Sequence, residues 1–144
     1  MAADFATVAG GVNNSIQTNA SLAAIGGGQD NTVLPNAAYA TIGGGYANGA
    51  STNSATVAGG YYNLASGFES TVAGGQANTA SGTVSFIGGG VTNLASGLES
   101  AIVGGELNRP GLSTVVRKVS NCVDSLAGPL LMSVAHDVIV CAPE

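Results

Sequence analysis

The one histidine of the chain, His136, adjoins Asp137 and lies between Cys122 and Cys141. A cysteine beside a histidine could serve as a nucleophile, but no second histidine and no motif positions either thiol here. The two cysteines, 19 residues apart, either pair as a disulfide in an oxidising compartment or stay buried as small apolar side chains. Zinc would need two further ligands. Residues 1–108 contain no His, Cys, Lys or Arg, so a Ser-His-Asp triad cannot be assembled there. Glu69 and Glu99 share a position in a repeated unit, yet two units separate them by roughly 10 Å, with Thr83-Val84 between. A calcium-binding β-roll needs an acid in every turn, and only Asp30 occupies that loop. The phosphate loop Gly-x4-Gly-Lys-Ser/Thr is absent. These residues predict no catalytic site, no metal and no cofactor: the chain is not expected to be an enzyme.

Binding chemistry is better supplied. Tyr46, Tyr61 and Tyr62 fall at equivalent variable positions of adjacent units, flanked by Gln29-Asp30 and Gln76. Aromatic and amide groups gathered at one corner suit recognition of a protein or glycan, although bend aromatics also serve to shield an edge or a seam between chains. Residues 1–108 carry five acids (Asp4, Asp30, Glu69, Glu99, Glu106) and no base. That excludes phosphate neutralisation, hence nucleic acid, and a polybasic membrane surface. No apolar run approaches the 18 or so residues of a spanning helix. The opening Met1-Ala2-Ala3-Asp4-Phe5 lacks the basic and apolar regions of a signal peptide; a chain trimmed of its signal or a virion protein would begin this way.

Positioning those tyrosines requires a regular scaffold, and the sequence repeats one. Gly pairs recur at Gly10-Gly11, Gly27-Gly28, Gly44-Gly45, Gly59-Gly60, Gly74-Gly75, Gly89-Gly90 and Gly104-Gly105. Three residues after each pair stands an Asn: Asn14, Asn31, Asn48, Asn63, Asn78, Asn93, Asn108. Two residues before each stands Val or Ile. The Asn spacing is 17, 17 and then 15 four times. The chain has 23 glycines, seven aromatics and only 8% charged residues, which fits neither a helical bundle nor an α/β enzyme. A 15-residue unit this rich in Gly predicts an all-β parallel β-solenoid of about seven turns, each with two short strands and two bends.

The first strand centres on the Val/Ile and the second on Ile16, Val33, Ala50, Ala65, Ala80 and Ala95, all apolar and pointing inward. Gly supplies positive φ at the bends, and the recurrent Asn is expected to tolerate the left-handed region and to bond amide to amide up the stack. Seven turns make a rod roughly 34 Å long. One Val or Ile and one Ala per turn is a thin core, which predicts association of chains.

The run Ala65-Ser66-Gly67-Phe68-Glu69-Ser70-Thr71-Val72-Ala73-Gly74 resembles the head repeat of trimeric autotransporter adhesins, Ala-x-Gly-x-x-Ser-Val-Ala-Ile-Gly, and above all its variant with Gly-Gly-x-x-Asn and a 15-residue period. That variant also looks like repeats of phage-type fibres. The resemblance covers residues 6–108 and implies a left-handed parallel β-roll, three chains side by side, at the outer end of a cell-surface fibre that binds host matrix or cells. In the C-terminal segment, Arg117-Lys118-Val119-Ser120-Asn121-Cys122-Val123 faintly resembles the neck that follows such heads.

The expected organisation is a β-roll over residues 5–108 and a C-terminal cap or neck over 109–144. Val116, Val119, Val123, Leu126 and Leu130 are spaced for a short trimeric seam that Pro129 interrupts, and Leu131–Cys141 reads as a strand. The functional expectation is a non-enzymatic, homotrimeric adhesin head, extracellular or on a bacterial surface. Its rivals are a phage or viral fibre segment in a virion and an ice-binding solenoid, the last prompted by the Thr41, Thr56, Thr71 rank. Ligand contacts are expected at Tyr46, Tyr61 and Tyr62 with weak salt dependence; the insertions of the 17-residue units, around Thr18–Leu22 and Leu34–Tyr39, are a second place for contacts.

Overall fold

The computed structural model describes residues 3–109, together with the backbone of the strands Val115–Val119, Leu131–Val134 and Asp137–Cys141. Among the described residues there is no helix. The chain winds as a parallel β-solenoid. One sheet stacks the two-residue strands Thr7–Val8, Ala24–Ile25, Thr41–Ile42, Thr56–Val57, Thr71–Val72, Phe86–Ile87 and Ala101–Ile102 in register, Val or Ile upon Val or Ile. The other stacks Ser15–Ile16, Thr32–Val33, Gly49–Ala50, Leu64–Ala65, Thr79–Ala80 and Leu94–Ala95. Seven strands on one side and six on the other make about six complete turns rather than seven, because no described strand of the second sheet follows Asn108. Single parallel bridges join Val12, Gln29, Tyr46, Tyr61, Gln76, Val91 and Glu106 into a further column.

Two-residue strands can bury only one side chain each, since successive residues face opposite ways. The inward residues Ile25, Ile42, Val57, Val72, Ile87 and Ile102 are 0–1% exposed and meet the small Val33, Ala50, Ala65, Ala80 and Ala95 across the interior. Val8, at the same position in the first turn, is 44% exposed, having a neighbour on one side only. The second glycine of each pair adopts positive φ, +96° at Gly60, and a Cβ there would run into the Gly75 carbonyl of the next turn. No other residue fits.

The recurrent Asn does something other than adopt the left-handed region. The residue before it does so in every turn: Asn13, Asp30, Ala47, Tyr62, Ala77, Thr92 and Leu107 have φ between 53° and 58°. The Asn side chain instead turns inward. Asn63 donates its backbone N–H to Asn48 Oδ1 (2.9 Å), and its Nδ2 to the Gly59 and Gly75 carbonyls (3.0 and 2.9 Å). Its Oδ1 accepts from the backbone N–H and Nδ2 of Asn78 (3.0 and 3.2 Å). Asn31, Asn48, Asn63, Asn78 and Asn93 are 0–1% exposed, so this ladder, expected from the sequence, is a buried one in which each amide satisfies its own bend and locks the next.

The C-terminal segment departs from two expectations. Val115–Val119 is a strand that extends the first sheet in parallel, Ala101 opposite Val115 and Ile102 opposite Val116, so residues 115–119 are not part of a helical seam. An open sheet edge and β-branched Val115, Val116 and Val119 favour pairing over a short helix. The stretch expected as one strand is two: Leu131–Val134 runs antiparallel to Asp137–Cys141, which pairs in parallel with Val115–Val119. The expected seam positions Val123, Leu126 and Leu130, and the side chains of Cys122, His136 and Cys141, lie outside the described residues, and with them the disulfide.

Candidate binding surface

The Gly-Gly-x-x-Asn bend projects two variable residues per turn, and the in-register stacking converts them into two columns. The first is Val12–Gln29–Tyr46–Tyr61–Gln76–Val91–Glu106. The second is Asn13–Asp30–Ala47–Tyr62–Ala77–Thr92–Leu107, tied to the first by N–H to carbonyl bonds such as Ala47 to Gln29 (3.0 Å), Tyr62 to Tyr46 (3.0 Å) and Ala77 to Tyr61 (2.9 Å).

The sequence-predicted tyrosines meet there. Tyr46 and Tyr61 stack with ring centroids 5.2 Å apart and planes 14° from parallel. Tyr62 stands edge-on to both, 4.5 Å from Tyr61 at 84° and 5.7 Å from Tyr46 at 78°. Ring pairs in these geometries attract beyond their area burial, so the trio is a preformed surface. Tyr61 and Tyr62 are 45% and 53% exposed, and Tyr46 is half-buried. Asp30 is half-buried and accepts a hydrogen bond from Gln29 Nε2 at 3.0 Å. The Tyr62 phenol and then the Asp30 carboxylate raise the Tyr46 pKa above its ordinary 10.0, helped by a hydrogen bond with Tyr62. The corner offers three phenol rings, one carboxylate and two side-chain amides.

Other candidates are laid out as the sequence implied but are not assembled into sites. Glu69 and Glu99 sit at the opposite bend with Val84 between them, all three on left-handed backbone. No group of acids, His or Cys able to hold a metal occurs among the described residues. Thr41, Thr56 and Thr71 form a rank in register, bounded by Ala24 and Phe86; two residues on along the chain stand Gly43, Ala58 and Ala73, not a second threonine rank.

Two features escaped the sequence. The opposite bend carries exposed apolar side chains along its length, Phe5, Leu22, Tyr39 and Val84 at one position and Phe68 and Leu98 at the position before it; aligning the units on their Gly pairs would have revealed both. Ser70, Ser85 and Ser100 are buried with hydroxyls that have no hydrogen-bond partner. Ala40 and Ala55 occupy the same column in earlier turns, so Ser/Ala interchange was the available signal.

The model of the ubiquitous surface protein adhesin repeat matches residues 70–82. That span is most of one unit, holding core Val72 and Ala80, the Gly74-Gly75 bend and ladder Asn78 but not the turn residues of the opposite bend. Of the two surface columns it includes Gln76 and Ala77, and none of the tyrosines. The chain is thus a β-solenoid repeat protein, one unit of which is similar to the adhesin repeat of a surface-protein family. No curated protein matches the chain.

Proposed function

We propose that this protein is the head of a homotrimeric, non-enzymatic bacterial surface adhesin that binds a host protein or glycan through the tyrosine corner. The observation that carries the reading is the adhesin-repeat match at residues 70–82, in a unit whose Gly, Asn and core positions recur along the solenoid. Three further features support it. The variable positions lie outward on an invariant frame; the rings there are packed into one surface; and the core is thin, with apolar side chains left exposed on the opposite bend for neighbouring chains to cover. The interrupted Thr rank gives ice binding no comparable support.

Adhesion of the full chain to immobilised matrix proteins and glycans, wild type beside the triple variant Tyr46→Ser, Tyr61→Ser, Tyr62→Ser, tests the ligand corner. The triple variant is expected to fold and to lose more than about 1 kcal/mol of binding per anchor ring; unchanged adhesion would remove the corner. Sedimentation tests assembly: a trimer is expected whose β-signal falls on dilution, whereas a stably folded monomer at low micromolar concentration would refute the trimeric part.

A further inference from the structure

The second column of the corner alternates in size. Asp30, Ala47, Tyr62 and Ala77 follow one another on successive turns, so Ala47 forms the floor of a notch with Asp30 on one wall and Tyr62 on the other. Two strand spacings separate those walls, roughly 10 Å. Tyr46 borders the notch from the adjoining column, one bond away through the Tyr62 N–H. Asp30 is held by Gln29 Nε2 at 3.0 Å, and Tyr62 is held edge-on by Tyr46 and Tyr61. A cation placed midway between the walls would lie roughly 5 Å from each, next to the Asp30 carboxylate and the Tyr46 and Tyr62 side chains. No Lys or Arg of residues 1–108 is available to fill that place from within the solenoid.

We propose that the notch over Ala47, walled by Asp30 and Tyr62 and flanked by Tyr46, takes the cationic side chain of a lysine or arginine presented by a protein ligand. The proposal rests on the adhesin reading and narrows its ligand to a protein with an exposed basic segment. It also revises the expectation of weak salt dependence. A carboxylate facing a cation at about 5 Å in water contributes about fourfold in affinity at low ionic strength, and salt screens it.

The test uses the full chain and a fluorescently labelled peptide of alternating Arg and Gly, with Glu–Gly and Ser–Gly peptides as comparators, at low and high salt. Wild type should bind the Arg peptide in preference to both others and lose that preference as salt rises. Asp30→Asn keeps the backbone, because Asn13 holds the same left-handed position one turn earlier, and should weaken Arg-peptide binding about fourfold while flattening its salt dependence. Ala47→Leu fills the notch yet keeps both walls; Leu107 occupies the same column on left-handed backbone, so the fold should accept it. It should weaken binding at least as much. Glu69→Gln removes the same charge from the opposite bend and should change nothing.

An Arg peptide bound no better than the Ser peptide, or an Asp30→Asn loss no greater than that of Glu69→Gln, would overturn the notch. The two readings separate in the matrix-adhesion assay. If the tyrosine triple variant loses adhesion while Asp30→Asn and Ala47→Leu retain it, the notch is wrong and the adhesin reading stands. If wild type binds the Arg peptide but adheres to no matrix protein or glycan, the adhesin reading fails instead.

Discussion

The two bends of each turn reverse the chain around the same thin core, yet one is constant in length and the other is not. The Gly-Gly-x-x-Asn bend spans five residues in all seven copies. At the opposite bend the 15-residue units make one turn, at Phe68-Glu69 for example, whereas the 17-residue units make two, at Thr18-Asn19 and Ser21-Leu22 and again at Pro35-Asn36 and Ala38-Tyr39. The extra turn closes on backbone bonds, Ala20 N–H donating to Gln17 O and Ala37 N–H to Leu34 O (both 3.4 Å), and Asn36 N–H donating to Thr18 O at 3.0 Å ties one extra turn to the next. It adds only small buried side chains, Ala20 and Ala37. The Asn bend has no such freedom. From Asn31 to Asn93 its amides are buried and, as at Asn63, bonded to their own bend and to the turns on either side. An inserted residue there would leave buried carbonyls and N–H groups unpaired, at about 1–3 kcal/mol each. Length is conserved where buried polar groups must be satisfied, and it drifts where the backbone closes at the surface.

Charge in the core should break both bends at once. Val72→Asp places an unpaired carboxylate at a position that is fully buried between Val57 and Ile87, at a cost of several kcal/mol. Chemical denaturation followed by circular dichroism should find this variant unfolded or severely destabilised. A midpoint near wild type would mean the inward register is wrong. Asn63→Ala strikes the constant bend alone. It removes the side-chain partners of the Gly59 carbonyl and of the Asn78 N–H and one of the two donors to the Gly75 carbonyl, which keeps the Tyr61 N–H, and should cost about 3 kcal/mol. An equivalent truncation at the opposite bend, Asn19→Ala, loses one exposed bond to Asn36 and puts alanine on left-handed backbone (φ 59°), and should cost about 1 kcal/mol, clearly less than Asn63→Ala.

Much of this frame was legible in the residues. Val/Ile two places before each Gly pair, and Ile16, Val33 and then Ala two places after the Asn from Asn14 to Asn93, gave the inward columns, because a two-residue strand has only one inward position to fill. The tyrosine corner was legible too, since equal spacing from a common anchor places side chains side by side. The left-handed residue was misplaced by one position: Asn is a favoured left-handed residue, but burial of its amide in the ladder outweighed that preference, and Ala47, Tyr62 and Thr92 carry the strained backbone instead. The tail misled for a related reason. The 3-4 spacing of Val116 and Val119 is compatible with a helix, and only the edge left by Ala101–Ile102 makes the strand the better choice. A single chain read in isolation does not announce that edge.

The opposite bend also tolerates strain that can be relieved. Val84 has φ of 56°, where a β-branched side chain is an outlier. Val84→Asn should stabilise the protein by about 1 kcal/mol, seen as a raised denaturation midpoint, because Asn is accepted in this region and the lost side chain is half-exposed. A decrease would show that Val84 contributes packing, for instance against a neighbouring chain of the assembly. Ser85→Ala is expected to act in the same direction by up to about 1 kcal/mol. It removes a buried hydroxyl without a partner and restores the alanine found at Ala40 and Ala55 in that column.

The smallest effect should come from Glu69→Lys, and its smallness sharpens the contrast between the bends. Glu69 is exposed and on left-handed backbone with φ of 54°. Its main-chain N–H donates to Asn53 O at 3.2 Å, a bond that is kept whatever the side chain. Lys has the same need for positive φ, so the backbone strain is unchanged. The nearest acid in its column, Glu99, lies two turns away, roughly 10 Å, which is about one Debye length at 0.1 M salt. Reversing the charge should therefore move stability by less than about 0.5 kcal/mol, and what change there is should vanish at high salt. A loss comparable to that of Asn63→Ala would mean that the opposite bend is held by its side chains after all, and the contrast drawn from the two bend lengths would fall with it.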